Sequence, residues 1–138
     1  MSSAAEAAFR IQAPNSRART IKVVALDRSS EHVLTRLAES SWNQAAFFRA
    51  ADCDPDEVSR ADLVVLLAAP GGRAQLASKI GEACSRRRVM TTALVIGASS
   101  ASEEAVSKTL AQLRPWALML VIATNDDYVD DMLRSLRA

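Results

Sequence analysis

Five times along this chain a short apolar run rich in β-branched and aliphatic residues gives way to a helix-like pattern, and few folds accept that alternation. The runs are "TIKVVALD" (20–27), "QAAFFRAA" (44–51), "ADLVVLLAA" (61–69), "MTTALVIGA" (90–98) and "WALMLVIAT" (116–124). Between them, apolar residues recur at helical spacing: Val33, Leu34 and Leu37; Leu76, Ile80 and Ala83/Cys84; Val106, Leu110 and Leu113; Val129, Met132/Leu133 and Leu136. Ser29 or Ser30 is placed to cap the first helix. Asp54 before Pro55 marks a short second one, and the third spans about 72–86. Ser100 with Glu103 forms a capping-box pattern for the fourth, which stops before Pro115, and the last begins near Asp126. Strands alternating with helices predict an α/β fold: a three-layer, doubly wound, Rossmann-like sheet of five mainly parallel strands with right-handed crossovers. The near-continuous apolar character of 61–69 suits a strand covered on both faces.

At 138 residues the chain fits one domain, placed at 20–138. Aromatic residues make up only 4%, against 49% hydrophobic overall, so the core must be aliphatic. A net charge of +1 gives no field that favours nucleic acid or an anionic membrane, and neither is expected as a partner. The longest apolar run, 116–123, is far too short to span a bilayer. Cys53 and Cys84 have no motif spacing, which points to buried thiols in a reduced, cytoplasmic setting, and no Cys/His metal spacing exists. Residues 1–19, rich in Ala, Ser and Arg, read as a flexible arm rather than a targeting peptide, with Phe9 and Ile11 available to pack on a neighbour.

In doubly wound folds ligands bind beyond the carboxyl ends of the strands. The first such loop, Asp27-Arg28-Ser29-Ser30, has no glycine to bring backbone N–H groups to a phosphate, and Asp27 sets a carboxylate where the anion would lie. A phosphoacceptor receiver site is not expected, because strand three lacks a terminal Asp and strand five a terminal Lys. After strand three, Pro70-Gly71-Gly72-Arg73 has the outline of an anion cradle, with Arg73 as its positive charge; the plainer reading is a tight turn. After strand five, Asp126, Asp127, Asp130 and Asp131 suit the positive end of a helix better than Mg²⁺. Asn125 offers an amide to a ribose or base. His32, the one histidine, reads as a surface residue, and "SRRRV" (85–89) as a solvated helix end.

Taken in order, "IKVVALD", "AAFFRAADCD", "ADLVVLLAAPGG", "TTALVIG" and the tail "EEAVSKTLAQLRPWALMLVIATNDDYVDDML" resemble the nucleotide-binding half of FtsZ, the bacterial tubulin homologue, over about residues 20–135. The resemblance implies a guanine nucleotide at the strand ends, with Asn125 matching the contact near ribose or base. The family's glycine-rich first loop is here Asp27 to Ser30, and of its Gly/Thr signature loop only Gly71 and Gly72 remain. Strands two and three are joined by about ten residues where the family carries its γ-phosphate loop, and its central helix and acidic loop are expected to be absent. Each lost phosphate donor costs about 1–3 kcal/mol. The expectation is therefore a degenerate site without GTP hydrolysis and without a cofactor, in a module whose partner is a protein or a second copy. Two alternatives stand beside it. One is a nucleotide or anion binder using Gly71, Gly72, Arg73 and Asn125; the other is an enzyme working through Asp27 or the acids at 126 and 127.

Overall fold

The structure is a computed structural model that describes residues 20–138 apart from 73, 124, 126 and 137. The arm expected at 1–19, with Phe9 and Ile11, lies outside the described residues. Five strands form one sheet: β1 (Ile21–Ala25), β2 (Ala45–Arg49), β3 (Leu63–Ala68), β4 (Met90–Val95) and β5 (Met119–Ile122). Their order is β2-β1-β3-β4-β5, and all four pairings are parallel. β3 is central, and all six of its residues are buried, as its unbroken apolar run requires.

Among the described residues, five α-helices cover the sheet: α1 (Glu31–Ala38), α2 (Pro55–Val58), α3 (Leu76–Arg87), α4 (Glu103–Leu113) and α5 (Asp127–Ser135). Alternate strand residues point to opposite faces, which splits the core in two. Ile21, Val23, Val65 and Leu67 pack with Val33 and Leu37 of α1 and Val129 and Leu133 of α5. On the other face Val24, Val64 and Leu66 pack with Val58 of α2, Ile80 and Cys84 of α3, and Leu113 of α4.

Three boundaries differ from the sequence reading, each for a local reason. The fourth helix is capped by Ser102, whose hydroxyl accepts from the Ala105 N–H at 3.1 Å; Ser100 belongs to a preceding 3-10 turn, Ala98–Ser100. Helix α3 starts at Leu76, not 72, because Gly71 turns at φ 80° and the chain needs several residues to come round. In "WALMLVIAT", Trp116 and Ala117 still donate to the Leu113 carbonyl and extend the end of α4, which leaves β5 four residues. Arg88 ends α3 in the left-handed conformation at φ 58°, and Val89 donates back to the Cys84 carbonyl at 2.9 Å.

Candidate functional site

The chain runs outward from β1 to β2, crosses back to β3, then continues to β4 and β5. The two directions part between β1 and β3, so the loops after those strands define the crevice where a doubly wound fold holds its ligand. Asp27 stands in that crevice, 9% exposed. Its Oδ1 accepts from the Ser30 N–H at 2.9 Å and its Oδ2 from the Ala69 N–H at 2.8 Å. Ser30, fully buried, donates from Oγ toward the Asp27 and Leu67 carbonyls at 3.1 and 3.3 Å. One carboxylate thus holds the ends of β1 and β3 together with the donors that open toward the crevice.

The glycine turn is committed in the same way. Gly71 N–H donates to Thr109 Oγ1 of α4 at 3.0 Å, Gly72 N–H to the Ala69 carbonyl at 3.0 Å, and Ala74 N–H to Gln112 Oε1 at 3.3 Å. Gly72 is glycine for a steric reason: a Cβ there would stand 2.5 Å from Asp27 Oδ2. The fold therefore brings Asp27 against Gly72, residues that the sequence placed in separate loops. Arg73 lies outside the described residues. Asn125 is not part of this cluster. β4 separates β3 from β5, so the loops after those strands are about 10 Å apart at the usual strand spacing. Asn125 Oδ1 accepts from the Tyr128 N–H at 3.2 Å and so caps α5.

The remaining candidates have local partners. His32 Nδ1–H donates to the Ser29 carbonyl at 2.6 Å. Asp127 pairs with Arg36 at 3.3 Å on the surface, and Asp130 pairs with Arg134. Among the described residues no three His, Cys, Asp or Glu side chains come together as a metal site. Both cysteines are free; burial, then Asp54 and Cys84, push the half-buried Cys53 thiol up to about 11, and burial raises Cys84 as well.

Two concavities bear on function, the first at strand ends where a ligand was expected and the second in a place that was not foreseen. A cleft of about 320 Å³ opens beside the crevice, lined by Ser29, His32, Pro70, Ile96, Gly97 and Ser100. Gly97 sits at φ 76°, and a Cβ there would meet nothing within 4 Å. At the opposite end of the sheet a groove of about 520 Å³ lies where β4 and β5 begin. Its one signal in the sequence is Trp116 within an apolar run; treating that run wholly as strand hid the wall it forms.

No protein-family profile matches the chain, and no curated protein does. Among solved structures, the chain is similar to oxidised flavodoxin 1 from Bacillus cereus, with 11% identity and a TM-score of 0.47, over 84% of this chain and 93% of that one. That finding corrects the resemblance to FtsZ: the solved structure to which the chain is similar here is a flavodoxin, not an FtsZ. The observed strand order is itself the flavodoxin-like variant of the doubly wound sheet. The segments that suggested FtsZ are the parallel strands, a glycine turn and two helices of a doubly wound sheet, features shared across such folds. The likeness to flavodoxin carries nothing about cofactor or activity.

Proposed function

We propose that this chain is a non-catalytic α/β domain that works by recognising a protein, either another copy of itself or a different chain, with no cofactor and no GTP hydrolysis. The observation that carries this reading is Asp27 seated on the Ser30 and Ala69 N–H groups. A phosphate entering the crevice would lose those donors and meet a carboxylate. Two unit charges about 4 Å apart repel by about 4 kcal/mol at an effective dielectric near 20. The committed N–H groups of Gly71 and Gly72 support the same conclusion. Two free thiols suit a reducing compartment such as the cytoplasm. Among the described residues, no helix is long and apolar enough to cross a membrane.

Thermal denaturation with GTP, GDP, ATP, NAD, AMP and FMN tests this. A ligand at a hundred times its dissociation constant adds about 2.7 kcal/mol of stability. Unchanged melting across the panel is expected; a clear rise with any phosphate-bearing member overturns the reading. Light scattering then separates self-association from recognition of another chain.

A second reading, an uncharged small molecule in the cleft between Ser29 and Gly97, is favoured by that cleft's size and place at the strand ends. Adenosine and nicotinamide, which carry no phosphate, added to the same panel separate the two.

A further inference from the structure

We propose that the groove at the start of β4 and β5 docks an extended acidic segment of another protein, which adds a strand to the β5 edge and seats an apolar side chain against Trp116. This rests on the interaction-module reading and gives it a surface and a partner chemistry.

Three observations converge on the groove. The first is its wall. Trp116 packs so closely on α3 that a Cβ at Gly81 would stand 2.6 Å from Trp116 Cβ, so the indole is fixed, half-buried, beside Val89 and Ala117. The second is an open apolar edge. β5 pairs with β4 alone among the described strands. Leu118 is 73% exposed, Met119 51%, Met90 50% and Ile122 48%, and β5 carries no charge or proline of the kind that blunts an edge. An edge strand presents alternate N–H and C=O groups that an extended chain can pair with, while pockets beside it select side chains.

The third observation is charge. Arg88 is the one charged residue among those lining the groove, with Arg86 and Arg114 exposed close by in the chain. Among the described residues no ion pair uses these three, whereas the neighbouring Arg87 is tied to Asp56 at 3.2 Å. Arg88 also holds φ 58° at a helix end where glycine fits without strain. A strained residue at a groove is a pointer to use, and here the strain sets a guanidinium at an apolar rim. The occupant this favours carries an apolar side chain for Trp116 and a carboxylate two residues away, on the same face of the added strand, for Arg88. A membrane surface is disfavoured because Trp116 lines a concavity, and nucleic acid because the net charge is only +1.

The test uses eight-residue fluorescent peptides in which Glu or Asp stands two residues from Leu, Ile, Val, Phe or Trp, so that both share one face of an extended chain, read by anisotropy against the full chain. Binding is expected for a subset, and exchanging every acid for Lys abolishes it. Arg88→Gly relieves the left-handed strain, so this variant is expected to melt higher yet bind roughly tenfold more weakly. Those opposite signs separate a lost contact from a lost fold. Leu118→Ser weakens binding with little change in melting. The proposal is overturned if no peptide binds, if Arg88→Gly binds as tightly as the wild type, or if phosphatidylserine vesicles bind and peptides do not. Absence of peptide binding in a chain that self-associates removes this groove but leaves the interaction reading intact; nucleotide-induced stabilisation removes the reading itself.

Discussion

Asp27 is a buried acid whose two oxygens each hold one backbone N–H, from Ser30 and from Ala69. Hydrogen bonds to a charged acceptor are worth more than neutral ones, and a buried N–H left without an acceptor costs about 1–3 kcal/mol. Asp27→Ala therefore lowers the unfolding free energy by about 3 kcal/mol in urea titrations, and Asp27→Asn, which keeps one acceptor, by about half as much. Equal stability of all three proteins would show that the carboxylate does not hold the two loops together. Cys53 behaves oppositely to a reactive thiol. An acid whose folded pKa is raised stays protonated to higher pH, and here the thiol is held up to about 11. Free cysteine ionises near 8.5, so at pH 8 a disulfide reagent labels Cys53 about tenfold or more slowly than free cysteine, even allowing for its more basic thiolate. The rate climbs toward pH 11, and rapid labelling at pH 7 would contradict the environment described.

Among the elements, α3 shows two opposed effects at Gly81. Alanine is the better helix former by about 1 kcal/mol. The new methyl would stand 2.6 Å from Trp116 Cβ, an atom anchored to the backbone of the α4–β5 connection. Overpacking of this kind costs about 1–3 kcal/mol, so the clash wins and Gly81→Ala is destabilising by about 1 kcal/mol net, measurable by thermal melting. A stabilised variant would mean that Trp116 can move away. The elements also show how far the sequence could be read. β3 was legible because a strand buried on both faces must be apolar throughout. The start of β5 was not, because Trp116 to Leu118 are apolar for a different reason: two of them close the α4 turn and one stands exposed at the groove. Likewise, two serines, Ser100 and Ser102, both preceded acids, and only backbone geometry selects the one at φ −71°, ψ 154°.

For the molecule as a whole, the alternation of strands and helices predicted a five-stranded doubly wound sheet, and the sheet is parallel throughout. What local pattern could not carry was which loops meet. Asp27 and Ala69 lie 42 residues apart, and their contact exists because β1 and β3 are neighbours. The sequence showed that glycine was missing from the first loop, but not that its acid sits on donors of both loops. The same limit explains the reading toward FtsZ, since the strands and helices of parallel sheets share their residue types across unrelated proteins. Asn125, read as a possible nucleotide contact, is a helix cap in the fold.

The central claim, that the switch-point crevice is closed from within by Asp27, is tested most directly by backbone amide NMR of the full chain during titration with millimolar GTP. The amides of Ser30, Ala69, Gly71 and Gly72 are predicted to stay where they are. Saturable shifts confined to those four would mean that phosphate displaces the carboxylate, and would contradict the account.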